Sequence, residues 1–199
     1  MTEINLTEDE KDVLQELMNV AYGNAAAIVA EMLEVFATLG IPKIQVIETK
    51  KLLETFSDKK SVSYFFSTQA FIGEFSGETA FFINEESAKN LAKHLELENN
   101  EELDDAILEL TNVLTSSLTT RLAQEMGVEV SFALPNISKI PLKDLTKIET
   151  FKLYSQVIVI ETELNFKDQK INADIFILTK DGSIQWLKKQ LNSILEELI

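Results

Sequence analysis

The sequence has no cysteine, which excludes a disulfide framework, a thiolate metal site and a cysteine nucleophile. A single histidine, His94, removes histidine-rich zinc sites and argues against a Ser-His-Asp triad. With six glycines and three prolines the chain is neither fibrous nor low-complexity, and no glycine-rich phosphate loop is present. No apolar run reaches the ~18 residues that span a bilayer. The opening Met1-Thr2-Glu3-Ile4-Asn5 has neither a basic nor an apolar segment, so no signal peptide is expected and a cytoplasmic location is. Bases are scarce: 18 against 33 acids, for a formal charge of -15. Such a surface repels nucleic acid and anionic lipid, so neither is expected as a partner. The 199 residues are 45% hydrophobic and 26% charged, which is a globular composition. The length fits one domain, read as residues 1–199, or two small halves sharing a core. If the chain is an enzyme, it must work with carboxylates, amides and hydroxyls.

An internal repeat organises the chain. Residues 12–21 read DVLQELMNVA and residues 105–114 read DAILELTNVL. Asp12 matches Asp105, Glu16 matches Glu109, Leu17 matches Leu110, Asn19 matches Asn112, and Val20 matches Val113. Most of these matches are polar, whereas a bland amphipathic helix repeats its apolar positions and lets the polar ones drift. After the first copy come β-rich stretches at Lys43 to Glu48, Ser61 to Glu74 and Gly77 to Asn84, then a helix from Glu86 to Leu95. After the second come Val128 to Ile137, Phe151 to Phe166 and Lys170 to Thr179, then a helix from about Ser183 to Leu198. Phe82-Ile83-Asn84 is aligned with Ile177-Leu178-Thr179, and Leu91 and Leu95 with Leu187 and Leu191. Thr7 with Glu10 predicts a capping box before the first long helix, and Asn99 with Glu102 a weaker one before the second. Each half, about 7–98 and 99–199, thus reads helix, three strands, helix. The expected fold is α+β: one pseudo-twofold domain with a shared, mainly antiparallel sheet and two long helices. The duplication supplies two copies of every feature, so a monomer is expected.

At about 100° per residue, Asp12, Glu16, Asn19 and Gly23 form one stripe on the first helix. Leu14, Leu17, Ala21, Ala25 and Ile28 form the opposite, core-facing side. On the second helix Asp105, Glu109, Asn112 and Ser116 oppose Leu103, Ile107, Leu110, Leu114 and Leu118, while Leu108 fits neither face. The repeated acid and amide therefore point toward solvent or a partner. One copy is what an acid-rich helix face shows by chance; two at matching places are not. Small residues follow each Asn, either for contact between the two helices or to admit something close to Gly23. The stripe offers no nucleophile and no three-carboxylate metal cage. A neutral Asn amide can hold water without repelling an anion, and an ionised Glu suits a partner's Lys or Arg. This pair fits a helper that positions water against a phosphoryl group carried by another protein, which would also carry the metal.

At these residues the sequence resembles the CheC family of chemotaxis phosphatases, which includes CheX and the phosphatase part of FliY. The family pattern places an acid four residues before Glu-x-x-Asn, twice in CheC, and the first copy continues Gly-Asn-Ala. Asp12, Glu16, Asn19, Gly23, Asn24 and Ala25 match the first copy, and Asp105, Glu109 and Asn112 the second. The resemblance implies hydrolysis of the aspartyl phosphate of CheY, the chemotaxis response regulator. Asn19 and Asn112 would orient the attacking water, and Glu16 and Glu109 would anchor the receiver through its active-site Lys. Asp12, Gly23, Asp105 and Ser116 would border the partner. The chain would need no cofactor of its own, because Mg2+ belongs to the receiver. Some relatives also bind the deamidase CheD. The alternative within the same resemblance is a non-catalytic adaptor for a receiver or CheD. The second copy has Thr115-Ser116-Ser117 in place of Gly23-Asn24-Ala25, which points to the first site as the stronger. The doubled motif argues against CheX, and an end at Ile199 argues against the switch domain of FliY, so CheC is the expected branch.

Other features have ordinary readings. His94 is expected on the surface, and Trp186 partly in the core. The acidic run from Glu96 to Asp105 lacks the spacing of a calcium loop and reads as solvation plus favourable charge at a helix N-terminus. Gly73 and Gly77 bracket a hairpin turn, and Lys139 to Lys152 reads as an exposed basic loop.

Overall fold

The computed structural model describes residues 5–34, 36–52, 63–141, 156–166, 168–179 and 181–197. In chain order the elements are α1 (Glu8–Met32), β1 (Thr38–Leu39), β2 (Lys43–Glu48), β3 (Ser63–Gly73), β4 (Gly77–Asn84) and α2 (Glu85–His94). The second half supplies α3 (Asn100–Glu125), β5 (Val130–Phe132), β6 (Asn136–Pro141), β7 (Gln156–Phe166), β8 (Ile171–Thr179) and α4 (Asp181–Glu197). The fold is α+β with an antiparallel sheet, as expected. Its order is β1-β7-β8-β4-β3-β5, with β2 also on β7 and β6 also on β3.

Exchanging the halves leaves this pairing pattern unchanged. β4 and β8 pair with each other at the centre; β3 carries β5 and β6, and β7 carries β1 and β2. The register repeats as well. Lys43 faces Glu161 and Asn136 faces Thr68. The offset that separates Asp12 from Asp105 also separates Lys43 from Asn136 and Thr68 from Glu161. The middles of the central strands, Ala80-Phe81-Phe82-Ile83 and Ile175-Phe176-Ile177-Leu178, are continuous apolar runs because side chains are buried on both faces there. Phe81 and Ile83 join the helix-side core with Ile175 and Ile177, while Phe82 and Ala80 join the opposite cluster with Phe176 and Leu178. This corrects one alignment. Phe82 and Ile177 lie on opposite faces, so Phe82 corresponds to Leu178, at the offset that already relates Leu91 to Leu187.

Both helix starts are capped as the sequence predicts. Thr7 Oγ1 accepts from Glu10 N at 3.2 Å, and Thr7 N donates to Glu10 Oε2 at 2.7 Å. Asn99 Oδ1 accepts from Glu102 N at 3.0 Å. The long helices α1 and α3 pack side by side on one sheet face. Leu14, Ala21 and Ala25 are buried on α1 with Met18 and Tyr22, but Ile28 is 45% exposed, off the face assigned to it. On α3 the five apolar residues assigned inward are all buried, and Leu108 is half-buried.

Other differences are local. The stretch Val128 to Ile137 is two short strands, because Ala133-Leu134-Pro135 interrupts the ladder and Pro135 has no N–H to give it. Thr38–Leu39 forms a strand only through its pairing with β7. Lys139 sits in β6, not in a loop; its Nζ meets Glu85 at 2.6 Å. Residues 142–152 of that basic stretch lie outside the described residues, as do 61–62, 151–155 and 198. His94 is not free on the surface, since its Nε2 bonds to Leu33 O at 2.9 Å behind the end of α1. Trp186 is half-buried beside Phe75, with ring centroids 6.4 Å apart. The hairpin between Gly73 and Gly77 forms as expected. Among the described residues no helix is long and apolar enough to cross a membrane.

Candidate functional site

The stripe on α1 faces outward. Asp12, Glu16, Asn19 and Gly23 are all exposed. The steps from Asp12 to Glu16 to Asn19, four and three residues, set neighbouring Cβ atoms about 5–6 Å apart. A Cβ built on Gly23 meets nothing within 4 Å, so this glycine is not a helix–helix contact; it keeps the helix surface low beside Asn19. On α3, Asp105 and Glu109 are exposed, whereas Asn112 and Ser116 are half-buried. Ser116 Oγ donates to Val113 O at 3.2 Å. Among the described residues no group of three or more His, Asp or Glu side chains could hold a metal ion.

Each amide stands beside a break in the sheet edge. Gly40 and Ala133, related by the repeat, occupy the break between β1 and β2 and the break between β5 and β6. Gly40 N donates to Glu163 O at 2.9 Å, and Ala133 N donates to Ala70 O at 3.0 Å, which is the same bond in the two halves. The next residues are Ile41 and Leu134, 76% and 87% exposed, each followed by proline. Asn19 and Ile41 share the rim of a shallow cavity of about 290 Å³ that Tyr22, Gly23 and Gly40 also line. The buried Tyr22 hydroxyl has no hydrogen-bond partner among the described residues, and burial pushes its pKa well above the usual phenol range.

The second amide is held from below. Gln69 in β3 is 2% exposed, and its Nε2 donates to Asn112 Oδ1 at 2.9 Å and to Ala133 O at 2.8 Å. A backbone carbonyl only accepts, so the nitrogen of Gln69 must face it, and the atom of Asn112 nearest that nitrogen must be its oxygen. The Asn112 amide nitrogen takes no part in this pairing. Gln69, Tyr22, Ile41 and Leu134 were not singled out from sequence. One signal was available: Gly40-Ile41-Pro42 and Ala133-Leu134-Pro135 repeat a small-apolar-proline pattern at the offset of the acid–amide motif.

No family model and no curated protein matches the chain by sequence. Solved structures match it by fold. FliY from Thermotoga maritima superposes with a TM-score of 0.76 at 17% identity, over 94% of this chain and 98% of that one. The FliM middle domain from H. pylori gives 0.62 at 12% identity, over 93% of this chain and 99% of that one. The chemotaxis protein CheX from Desulfovibrio desulfuricans gives 0.53 at 16%, over 83% and 99%. The fold is therefore that of the CheC, CheX and FliY group, which the FliM middle domain shares. A CheC-like protein from Shewanella oneidensis gives 0.51, so these likenesses do not single out the CheC branch.

Proposed function

We propose that the chain is a phosphatase for a phosphorylated receiver domain of the CheY type. Asn19 and Asn112 each hold a water in line with the receiver's aspartyl phosphate. The water oxygen attacks phosphorus, the bond from phosphorus to the Asp carboxylate oxygen breaks, and inorganic phosphate and a free carboxylate result. Glu16 and Glu109 anchor the receiver by pairing with a cation near its phosphorylation site, and Mg2+ stays with the receiver. Exclusion of bulk water and fixed geometry supply the acceleration, which needs no nucleophile on this chain. The observation that carries the reading is the acid–amide pair, which stands on an outer helix face once per half. An exposed apolar residue, Ile41 or Leu134, follows the sheet break beside each amide and gives a docked partner something to bury.

The test separates anchoring from chemistry. With a phosphorylated receiver in the presence of Mg2+, the Glu16→Ala, Glu109→Ala double variant is expected to raise KM through weaker docking. The Asn19→Ala, Asn112→Ala double variant is expected to dock normally and to lower kcat. A parent that docks without speeding phosphate release would overturn the catalytic reading and leave an adaptor.

A further inference from the structure

The repeat makes the two amides comparable position by position, and the comparison exposes a difference. By the offset that relates Asn19 to Asn112, Gln69 corresponds to Thr162. Thr162 is likewise buried, and its Oγ1 donates to Gly40 O at 2.7 Å, as Gln69 donates to Ala133 O. The threonine ends there. Its hydroxyl has one hydrogen to give and has given it, whereas the longer Gln69 carries a second N–H on to Asn112. Across that gap in the first half, between Asn19 and Gly40, lies the cavity of about 290 Å³. Gln69 Oε1 has no partner among the described residues, a buried oxygen left unpaired while its amide nitrogen serves two acceptors. A buried polar atom without a partner is unfavourable, so the position favours its donors at the expense of stability.

We propose that Gln69 is a positioning residue for Asn112, locking its amide with Nδ2 outward, and that the absence of this bridge at Thr162 makes the two sites unequal. Asn112 is ordered before the partner arrives; Asn19 is ordered only on docking. This reverses the ranking that Gly23-Asn24-Ala25 and Thr115-Ser116-Ser117 suggest. The catalytic consequence rests on the phosphatase reading, but the ordering of the amide does not.

The test uses Gln69→Thr, which copies the residue standing at the equivalent buried position. Side-chain amide relaxation by NMR is read on Asn112 and Asn19 in the parent, in Gln69→Thr and in Thr162→Gln. The Asn112 NH2 group should be the more rigid in the parent and should loosen in Gln69→Thr, while Asn19 should stiffen in Thr162→Gln. Phosphate release is then read in single-site proteins. In Asn19→Ala, where only the second site remains, Gln69→Thr should lower kcat roughly tenfold with KM unchanged. In Asn112→Ala it should have no further effect, which shows that the fold is intact. Equal mobility of the two parent amides, an unchanged rate in the Asn19→Ala protein, or equal losses in both single-site proteins would overturn the proposal. A parent inert toward phosphate would fell the phosphatase reading, and the relaxation measurement would still decide the role of Gln69.

Discussion

Gly23 sits mid-helix with open space where a side chain would be, and glycine there costs about 0.5–1 kcal/mol relative to alanine. Packing does not require it, and the proposed docking of a receiver close to Asn19 would. Gly23→Ala is therefore expected to gain about 0.5–1 kcal/mol in urea unfolding while slowing phosphate release from the first site, read in the Asn112→Ala protein. A stabilised variant with unchanged release would show that nothing comes close to this surface. Glu10 is a residue of another kind, 1% exposed at the start of α1. Burial alone would raise its carboxyl pKa. The bonds from Thr7 N, from Asn192 Nδ2 at 2.8 Å and from Lys188 Nζ at 3.3 Å outweigh that and hold it below the ordinary carboxylate value. A carboxyl depressed in the folded state contributes stability above its unfolded pKa and loses it as pH falls through the folded one. Glu10→Gln should cost about 1–3 kcal/mol at neutral pH, and its gap from the parent should close in acid. A gap that persists unchanged through the acid transition would contradict this.

Elements carry the geometry in which the residues act. Glu10 does more than cap α1, because Asn192 and Lys188 belong to α4, so one carboxylate ties the first helix to the last. The β3–β4 hairpin is tied by close approach. A Cβ on Gly77 would run into the Leu178 carbonyl oxygen and the Phe71 ring, and Leu178 is backbone of the central pair. Gly77→Ala should cost about 1–3 kcal/mol, read as a lower urea midpoint at an unchanged slope. No loss would mean that the central strands shift more easily than their pairing suggests. The breaks between β1 and β2 and between β5 and β6 also belong to this scale. Each ends the ladder with a small residue and a proline, and each leaves one large apolar side chain outside.

At the scale of the whole molecule, symmetry of pairing is strict and symmetry of side chains is not. Much of the architecture was legible in the sequence. The doubled motif located the long helices, Thr7 and Glu10 marked a real cap, and the β-rich stretches Lys43 to Glu48 and Gly77 to Asn84 marked strands with the bounds the structure gives them. The outward direction of Glu16 and Asn19 followed from helical spacing alone. What stayed hidden depends on contacts distant in sequence. Thr38–Leu39 is too short to read without its partner strand. Gln69 reads as one more polar residue in a strand, because Asn112 and Ala133, which give it meaning, lie in the other half. His94 reads as a surface residue for the same reason: its partner, Leu33 O, is a backbone atom at the end of another helix. The core–surface pattern is written locally, whereas the tie between a buried amide and the exposed one it holds is not.

The most direct measurement of the central claim is the decay of aspartyl phosphate on an isolated receiver with Mg2+, followed with and without the chain. The account predicts that the parent shortens the lifetime and that the Asn19→Ala, Asn112→Ala protein, folded and still docking, leaves it at the spontaneous value. A double variant that shortens the lifetime as the parent does would contradict it.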